Sequence, residues 1–283
     1  MKDFTRITLL PALVVLVSVL AAPTHAQDFD KGKAAYVAND YDGALRELQP
    51  LAESGHPGAQ FLFGQMYYWG RGVPESRPDA AIWLRRAAEQ GHPEAQVRLS
   101  LIYECGKGVR KDEAKAVEWI RRAAKQGHIQ AQMFLGYRYK HGDGVPKSAN
   151  EAVKWYRRAA ERGGKEEQYR LGELLYESYR FYNDSQSQPR AREAEAIKWI
   201  TRAADQGHPD AMAKLSNYYS LPPDGPNANL VESYKWMMIA ITYSDWYSKK
   251  NLDVRKRYMT LAQIAEAQRL AREWLKAHRK KSD

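Results

Sequence analysis

AQMFLGYRYKHGDGVPKSANEAVKWYRRAA, residues 131–160, decides the fold. It reads as one helix, a glycine stop, a short connection and a second helix. Gly142 and Gly144 end the first helix, because glycine takes the left-handed cap conformation without steric cost. Val145-Pro146 opens the connection. Ser148 stands three residues before Glu151, where its hydroxyl can satisfy an orphan N–H of the second helix. Working outward, the pattern recurs every 36 residues: Trp83, Trp119 and Trp155; Gly70, Gly106 and Gly142; His56, His92 and His128. A fixed period in this range marks a stack of small units, none able to bury its apolar face alone. The fold class is therefore all-α, a solenoid of two-helix repeats.

Five copies can be superposed. The tryptophan column is Trp83, Trp119, Trp155, Trp199 and Trp236. Behind it lie Ala87-Ala88, Ala123-Ala124, Ala159-Ala160, Ala203-Ala204 and Ala240-Ile241. On the first helix of each pair, the A helix, Gly64, Ser100, Gly136, Gly172 and Ser216 keep one position small, so that two helix backbones approach closely. Gly172 to Trp199 is 27 residues against 19 for Gly64 to Trp83, which places eight extra residues in an A–B loop within 178–192. Residues 29–56 match the end of a repeat and read as an N-terminal capping unit. Thr260 and Gln263 make a capping box for a last helix, with Leu261, Ile264, Ala265, Ala271, Trp274 and Leu275 toward one side. That helix is expected to cover the open end of the array. The expected segments are 1–26, a leader; 27–57, N-terminal capping helices; repeats at 58–93, 94–129, 130–165, 166–209 and 210–245; and 246–283, a basic capping helix and tail.

These motifs, Ala131-Gln132…Leu135-Gly136…Tyr139…Gly142-x-Gly144-Val145 followed by Ala152 to Ala160, resemble the Sel-one-like repeat family, a relative of the tetratricopeptide repeat. The resemblance covers roughly residues 29–245 and implies a right-handed α-solenoid whose members act as adaptors in protein complexes. The stretch around Met259–Trp274 looks like the closing segment of secreted bacterial members. Three departures are local: Glu167 stands where 59, 95, 131 and 211 hold alanine, Gly163-Gly164 replaces Gly-His, and Tyr243-Ser244-Asp245 replaces Gln-Gly-His. Distortion is expected there. Some secreted relatives bind or hydrolyse β-lactams, but they carry a cysteine pair in each repeat. This chain has one cysteine, so a cell-wall or β-lactam hydrolase is the weaker alternative.

The N-terminus sets the expected compartment. Lys2 and Arg6 precede an apolar run from Ile7 to Ala22, and Thr24-His25-Ala26 carries small residues where a signal peptidase reads. The run is too short for a membrane span, which takes about 20 residues. A secreted or periplasmic protein without a transmembrane span follows. Cys105 alone excludes an intramolecular disulfide. The net charge is +10, yet residues 249–283 carry 11 Lys and Arg against 4 Asp and Glu. Basicity is thus a C-terminal property, suited to anionic lipid or cell-wall polymer. Export argues against nucleic acid as a partner. A solvated tail that aids solubility is the plain alternative.

Counting from the small residue, positions five before, one before and three after share one face of the A helix, and that face is core. A second face varies freely: Leu62, Gln65 and Trp69; Arg98, Leu101 and Cys105; Phe134, Tyr137 and His141; then Arg170 and Glu173 in the fourth repeat. A helices line the concave side of such solenoids, so these eleven residues are the candidate partner-binding surface, apolar at first and then charged. Exposed apolar groups with a polar margin mark protein or ligand sites. The competing reading packs the same side chains on the next repeat. His56, His92, His128 and His208 tempt a metal assignment, but neighbouring repeats stack about 10 Å apart and a metal needs ligands at about 2 Å. No metal, cofactor or catalytic residue is expected. Cys105 and His141 fall in adjacent columns, too far apart for a nucleophile and its base.

Overall fold

The computed structural model describes residues 25–181, 189–220, 229–247 and 249–278, with side chains except those at 25–27, 178–181 and 189–190. A first pair, α1 (His25–Val37) and α2 (Tyr41–Glu53), precedes five two-helix repeats. These are α3 (Pro57–Trp69) with α4 (Arg77–Glu89), α5 (Pro93–Cys105) with α6 (Glu113–Lys125), and α7 (Ile129–His141) with α8 (Ala149–Arg162). Then come α9 (Lys165–Phe181) with α10 (Pro189–Asp205) and α11 (Pro209–Tyr218) with α12 (Leu230–Tyr243). A short α13 (Lys250–Lys256) leads to α14 (Leu261–His278). Each helix through α13 packs chiefly on its neighbours in the chain, and α14 folds back on α12. Contacts restricted in this way define an α-solenoid, as the repeat pattern requires. No strand occurs among the described residues.

The repeat motif dictates each turn. Gly70, Gly106 and Gly142 cap α3, α5 and α7 at φ of 64°, 67° and 89°, a region that side-chain-bearing residues avoid. Ser76, Asp112, Ser148 and Asn229 each accept a backbone N–H three residues on and start α4, α6, α8 and α12. Two columns of the expected core face are buried apart from the half-buried Glu167: Ala59, Ala95, Ala131 and Ala211 are sealed, as are Leu99, Leu135, Leu171 and Leu215. In the third, Tyr103 and Leu175 are buried while Tyr67, Tyr139 and Tyr219 are half-buried. The small column marks the closest approach of the two helices. A methyl on Gly64 would meet the Leu84 side chain, and one on Gly172 would strike both the side chain and the backbone nitrogen of Ile200. Where serine stands instead, its hydroxyl donates across the pair, from Ser100 to the Ala116 carbonyl and from Ser216 to the Ser233 carbonyl.

Polar residues tie one repeat to the next. His56, His92, His128 and His208 each accept the N–H of an alanine three residues on through Nδ1, at 3.1–3.3 Å, and so begin α3, α5, α7 and α11. The histidine column is a set of helix caps. Gln60, Gln96 and Gln132 donate to the carbonyls of Ala52, Ala88 and Ala124 in the preceding repeat. Their side-chain oxygens in turn receive Gln90 at 2.7 Å and Gln126 at 2.8 Å in the first two repeats. The ladder breaks at the third: Arg162 occupies the donor position, its guanidinium lies against Gly127, and Gln132 Oε1 is buried without a partner.

Two expectations are corrected. The eight extra residues do not form a plain loop. α9 and α10 are 17 residues each where α3 and α4 are 13, so the insertion adds a turn to both helices; residues 182–188 lie outside the described ones. On α14 the buried line runs through Ala267 and Ala271, whereas Leu261 and Ala265 face solvent. The capping box forms, with Thr260 N–H donating to Gln263 and Gln263 N–H to Thr260. Trp274 packs edge-on against Trp236 and Tyr243 at 5.9 Å, which closes the last repeat. The departure at Glu167 is compensated locally. Its carboxylate accepts the Gly164 N–H at 2.9 Å and takes over capping of α9 where the histidine is missing.

Candidate functional site

Successive A helices leave a groove of about 450 Å³ across α5, α7 and α9. Leu101 borders it from α5; Phe134, Tyr137 and His141 from α7; Arg170 and Glu173 from α9. Six of the eleven candidate residues therefore meet at one place. Helix geometry explains why. Phe134, Tyr137 and His141 are spaced by three and four, so they form one stripe on α7, and the His141 ring packs on Tyr137 at 4.2 Å. Tyr137 is half exposed and Phe134 about a third.

The other five lie elsewhere. Leu62 is buried in the core between α2 and α3. Trp69 is 48% exposed on the first repeat, edge-on to Tyr68 at 4.8 Å, with the Arg77 guanidinium 3.9 Å above Tyr68. Arg98 reaches back toward the same Tyr68 ring. Gln65 is half-buried, and Cys105 is exposed at the end of α5 outside the groove.

The polar floor of the groove comes from residues that the variable-face argument missed. Arg138 is only 6% exposed, yet it borders the cavity. Its guanidinium holds Glu104 at 2.8 Å and donates to the Asp143 carbonyl. The equivalent positions in the first, second and fourth repeats are Met66, Ile102 and Leu174, all buried and apolar, and in the fifth Tyr218, half-buried. A charge in a core column was the signal available in the sequence. Tyr156, from α8, lies beneath; burial, opposed by the Arg170 charge, pushes its phenol up to about 12. It is a neutral hydroxyl at all ordinary pH.

At the α9 side, Arg170 bonds Glu166 at 2.9 Å and approaches Glu173 at 3.6 Å. Glu173 also accepts the Tyr169 hydroxyl. Burial works against the Glu166 charge, but bonds from His208 and Arg170 outweigh it and hold the carboxyl below its ordinary range. Lys140 pairs with Glu177 at 2.8 Å. The groove thus combines an aromatic wall with charges already balanced by neighbours. Such a site suits recognition by shape and directed hydrogen bonds. Among the described residues no three His, Cys, Asp or Glu side chains converge as metal ligands, and no helix is long and apolar enough to cross a membrane.

The model of the Sel1 repeat matches residues 57–92, 93–128, 129–164, 168–208 and 209–241. No curated protein matches the chain. Among solved structures it is similar to a Sel1 repeat protein from Oxalobacter formigenes, 29% identical over 89% of this chain and 98% of that one, with a TM-score of 0.67. Looser likenesses are to a protective antigen of uropathogenic Escherichia coli strains displaying an SLR fold, 22% identical over 89% and 68%, TM-score 0.34. An immunity protein from Pseudomonas aeruginosa is 16% identical over 77% and 81%, TM-score 0.38. Neither of these two bears on function.

Proposed function

The chain belongs to the Sel1 repeat family, and from that premise we propose that it is a non-catalytic periplasmic scaffold gripping another envelope protein, or an extended segment of one, in the α5–α7–α9 groove. Sel1 repeat proteins are in general protein-interaction scaffolds rather than enzymes. One observation carries the choice of face: three consecutive A helices contribute to a single cavity walled by Phe134 and Tyr137, both partly exposed. Large apolar groups kept in water by a packed scaffold favour a partner that covers them, and aromatic anchors carry a large share of binding energy. The leader-like pattern of residues 1–26, a basic start, an apolar run and a small-residue cut site, supports export.

The test is affinity capture from envelope extract with wild type beside Phe134→Ala/Tyr137→Ala. Ile82→Ala is the control, since Ile82 is an exposed apolar residue on α4, away from the groove. The expected result is a partner retained by wild type and by the control, and lost from the double variant at unchanged helical content. Equal retention by all three removes the groove from the function.

A further inference from the structure

We propose that the described part of the connection from α12 to α14, residues 244–247 and 249–261, is a membrane-surface anchor that seats Trp246, Tyr258 and Leu261 in the interface of an anionic lipid bilayer. Ten large apolar side chains are prominently exposed among the described residues, and five of them fall between Tyr243 and Leu261. Trp246 at 87% and Leu261 at 86% exceed all the others; Tyr258 is at 63% and Val254 at 51%. Val254 and Tyr258 are four apart, and helical turns carry α13 on through Met259 by the bonds of Tyr258 N–H to Arg255 and Met259 N–H to Lys256.

The segment is held firmly from its other side. Arg255 turns inward and donates to Ser233 Oγ at 2.9 Å and Asn217 Oδ1 at 2.8 Å, which fastens α13 to α12 and the end of α11. Tyr247 donates its hydroxyl to Asp210 on α11. A clamped inner face leaves the apolar tips outward by construction. Between them stand Lys249, Lys250 and Arg257, all exposed and without a carboxylate partner among the described residues.

Charge complementarity selects an anionic occupant, and the apolar tips select one with an apolar layer beneath its charges. A hydrated cell-wall polymer satisfies the cations but gives a buried tryptophan nothing. An anionic bilayer satisfies both: Trp and Tyr settle at headgroup level, with lysines at the phosphates. This site is separate from the groove, and neither proposal depends on the other.

The probe is sedimentation of residues 27–283 with vesicles of about 30% phosphatidylglycerol in phosphatidylcholine, beside pure phosphatidylcholine. The chain is expected to pellet with the anionic vesicles alone. Trp246→Ala/Tyr258→Ala/Leu261→Ala keeps the net charge and should weaken partitioning about tenfold or more, since each apolar group inserts independently. Lys249→Glu/Lys250→Glu should do the same, while Lys276→Glu/Lys280→Glu/Lys281→Glu leaves most of the binding. Thermal melts check that every variant folds, which surface positions allow. Failure to bind anionic vesicles overturns the proposal. So does binding that ignores the apolar variant, which would be tail electrostatics only, and so does pelleting with isolated cell wall but not with lipid.

Discussion

Arg138→Met separates what the groove needs from what the fold needs. Arg138 sits in a column that holds Met66, Ile102 and Leu174 in the first, second and fourth repeats, each 5% exposed or less, and Tyr218 in the fifth. Methionine therefore fits the site as the neighbouring repeats build it. Removing the guanidinium loses a charge-assisted hydrogen bond to Glu104, roughly 1.5–3 kcal/mol. It also relieves the desolvation of a nearly buried cation, several kcal/mol, and buries a methionine, roughly 1.5–3 kcal/mol relative to exposing it. Glu104 keeps 43% of its side chain in solvent. Its released carboxylate is rehydrated, so the heavy penalty of an unpaired buried charge does not arise. The lost bond and the methionine burial roughly cancel, the relieved desolvation remains, and the variant is expected to be neutral to stabilised by about 1–4 kcal/mol, a rise in Tm of roughly 2–4 °C per kcal/mol for a chain of this size. Capture of the groove's partner should fall about tenfold or more, the effect of losing roughly 1.4 kcal/mol from one directed polar contact. Thermal melting by circular dichroism and the capture assay are run side by side. A fall in Tm beyond about 3 °C, corresponding to roughly 1 kcal/mol lost, refutes the reasoning and makes Arg138 part of the scaffold.

Arg162→Gln should complete the glutamine ladder by supplying an N–H to the buried Gln132 Oε1; a gain of about 1 kcal/mol is expected, and an unchanged Tm would mean that the oxygen is satisfied already. His92 is held below its ordinary value of 6.5, chiefly by burial, which outweighs the pull of Glu94 at 3.3 Å. The unfolded chain then binds a proton at higher pH than the native one, so the stability that His92 contributes is present above 6.5 and lost as pH falls through the lower native value. His92→Asn retains a capping oxygen without a titration in this range, and its Tm should decline less than that of wild type between neutral and mildly acidic buffer. Identical pH profiles would show that His92 does not report the pH. Gly172→Ala places a methyl 2.6 Å from Ile200 Cγ1 and 3.0 Å from the Ile200 backbone nitrogen. The α9–α10 pair must separate, at a net cost of about 1–3 kcal/mol in urea unfolding; a neutral result would show that this helix pair is not closely packed.

Much of this molecule is legible along the chain because its structure is local and repeated. Glycines, cap residues and the Trp and Ala columns lie within one 36-residue unit, so their partners are a few residues away and five copies expose them by comparison. That is why the all-α solenoid, the core face of each A helix and the capping box at Thr260 could be read from residues alone. The period also separated constrained positions from free ones, which placed Leu101, Phe134, Tyr137, His141, Arg170 and Glu173 on one face. What the chain order does not contain is how adjacent repeats are set against each other. The stacking of α5, α7 and α9 decides that these six residues meet in a cavity while Leu62 is covered and Trp69 lies outside it. It admits Arg138 to the groove floor because Glu104, one repeat back and 34 residues away, comes within 2.8 Å. It turns the eight inserted residues into extra helical turns, since α9 and α10 can lengthen side by side without disturbing their neighbours. Period and capping chemistry act within a repeat and are written in sequence; cavities, buried charges and exposed apolar tips arise where repeats touch, or fail to touch, and only the packed chain determines them.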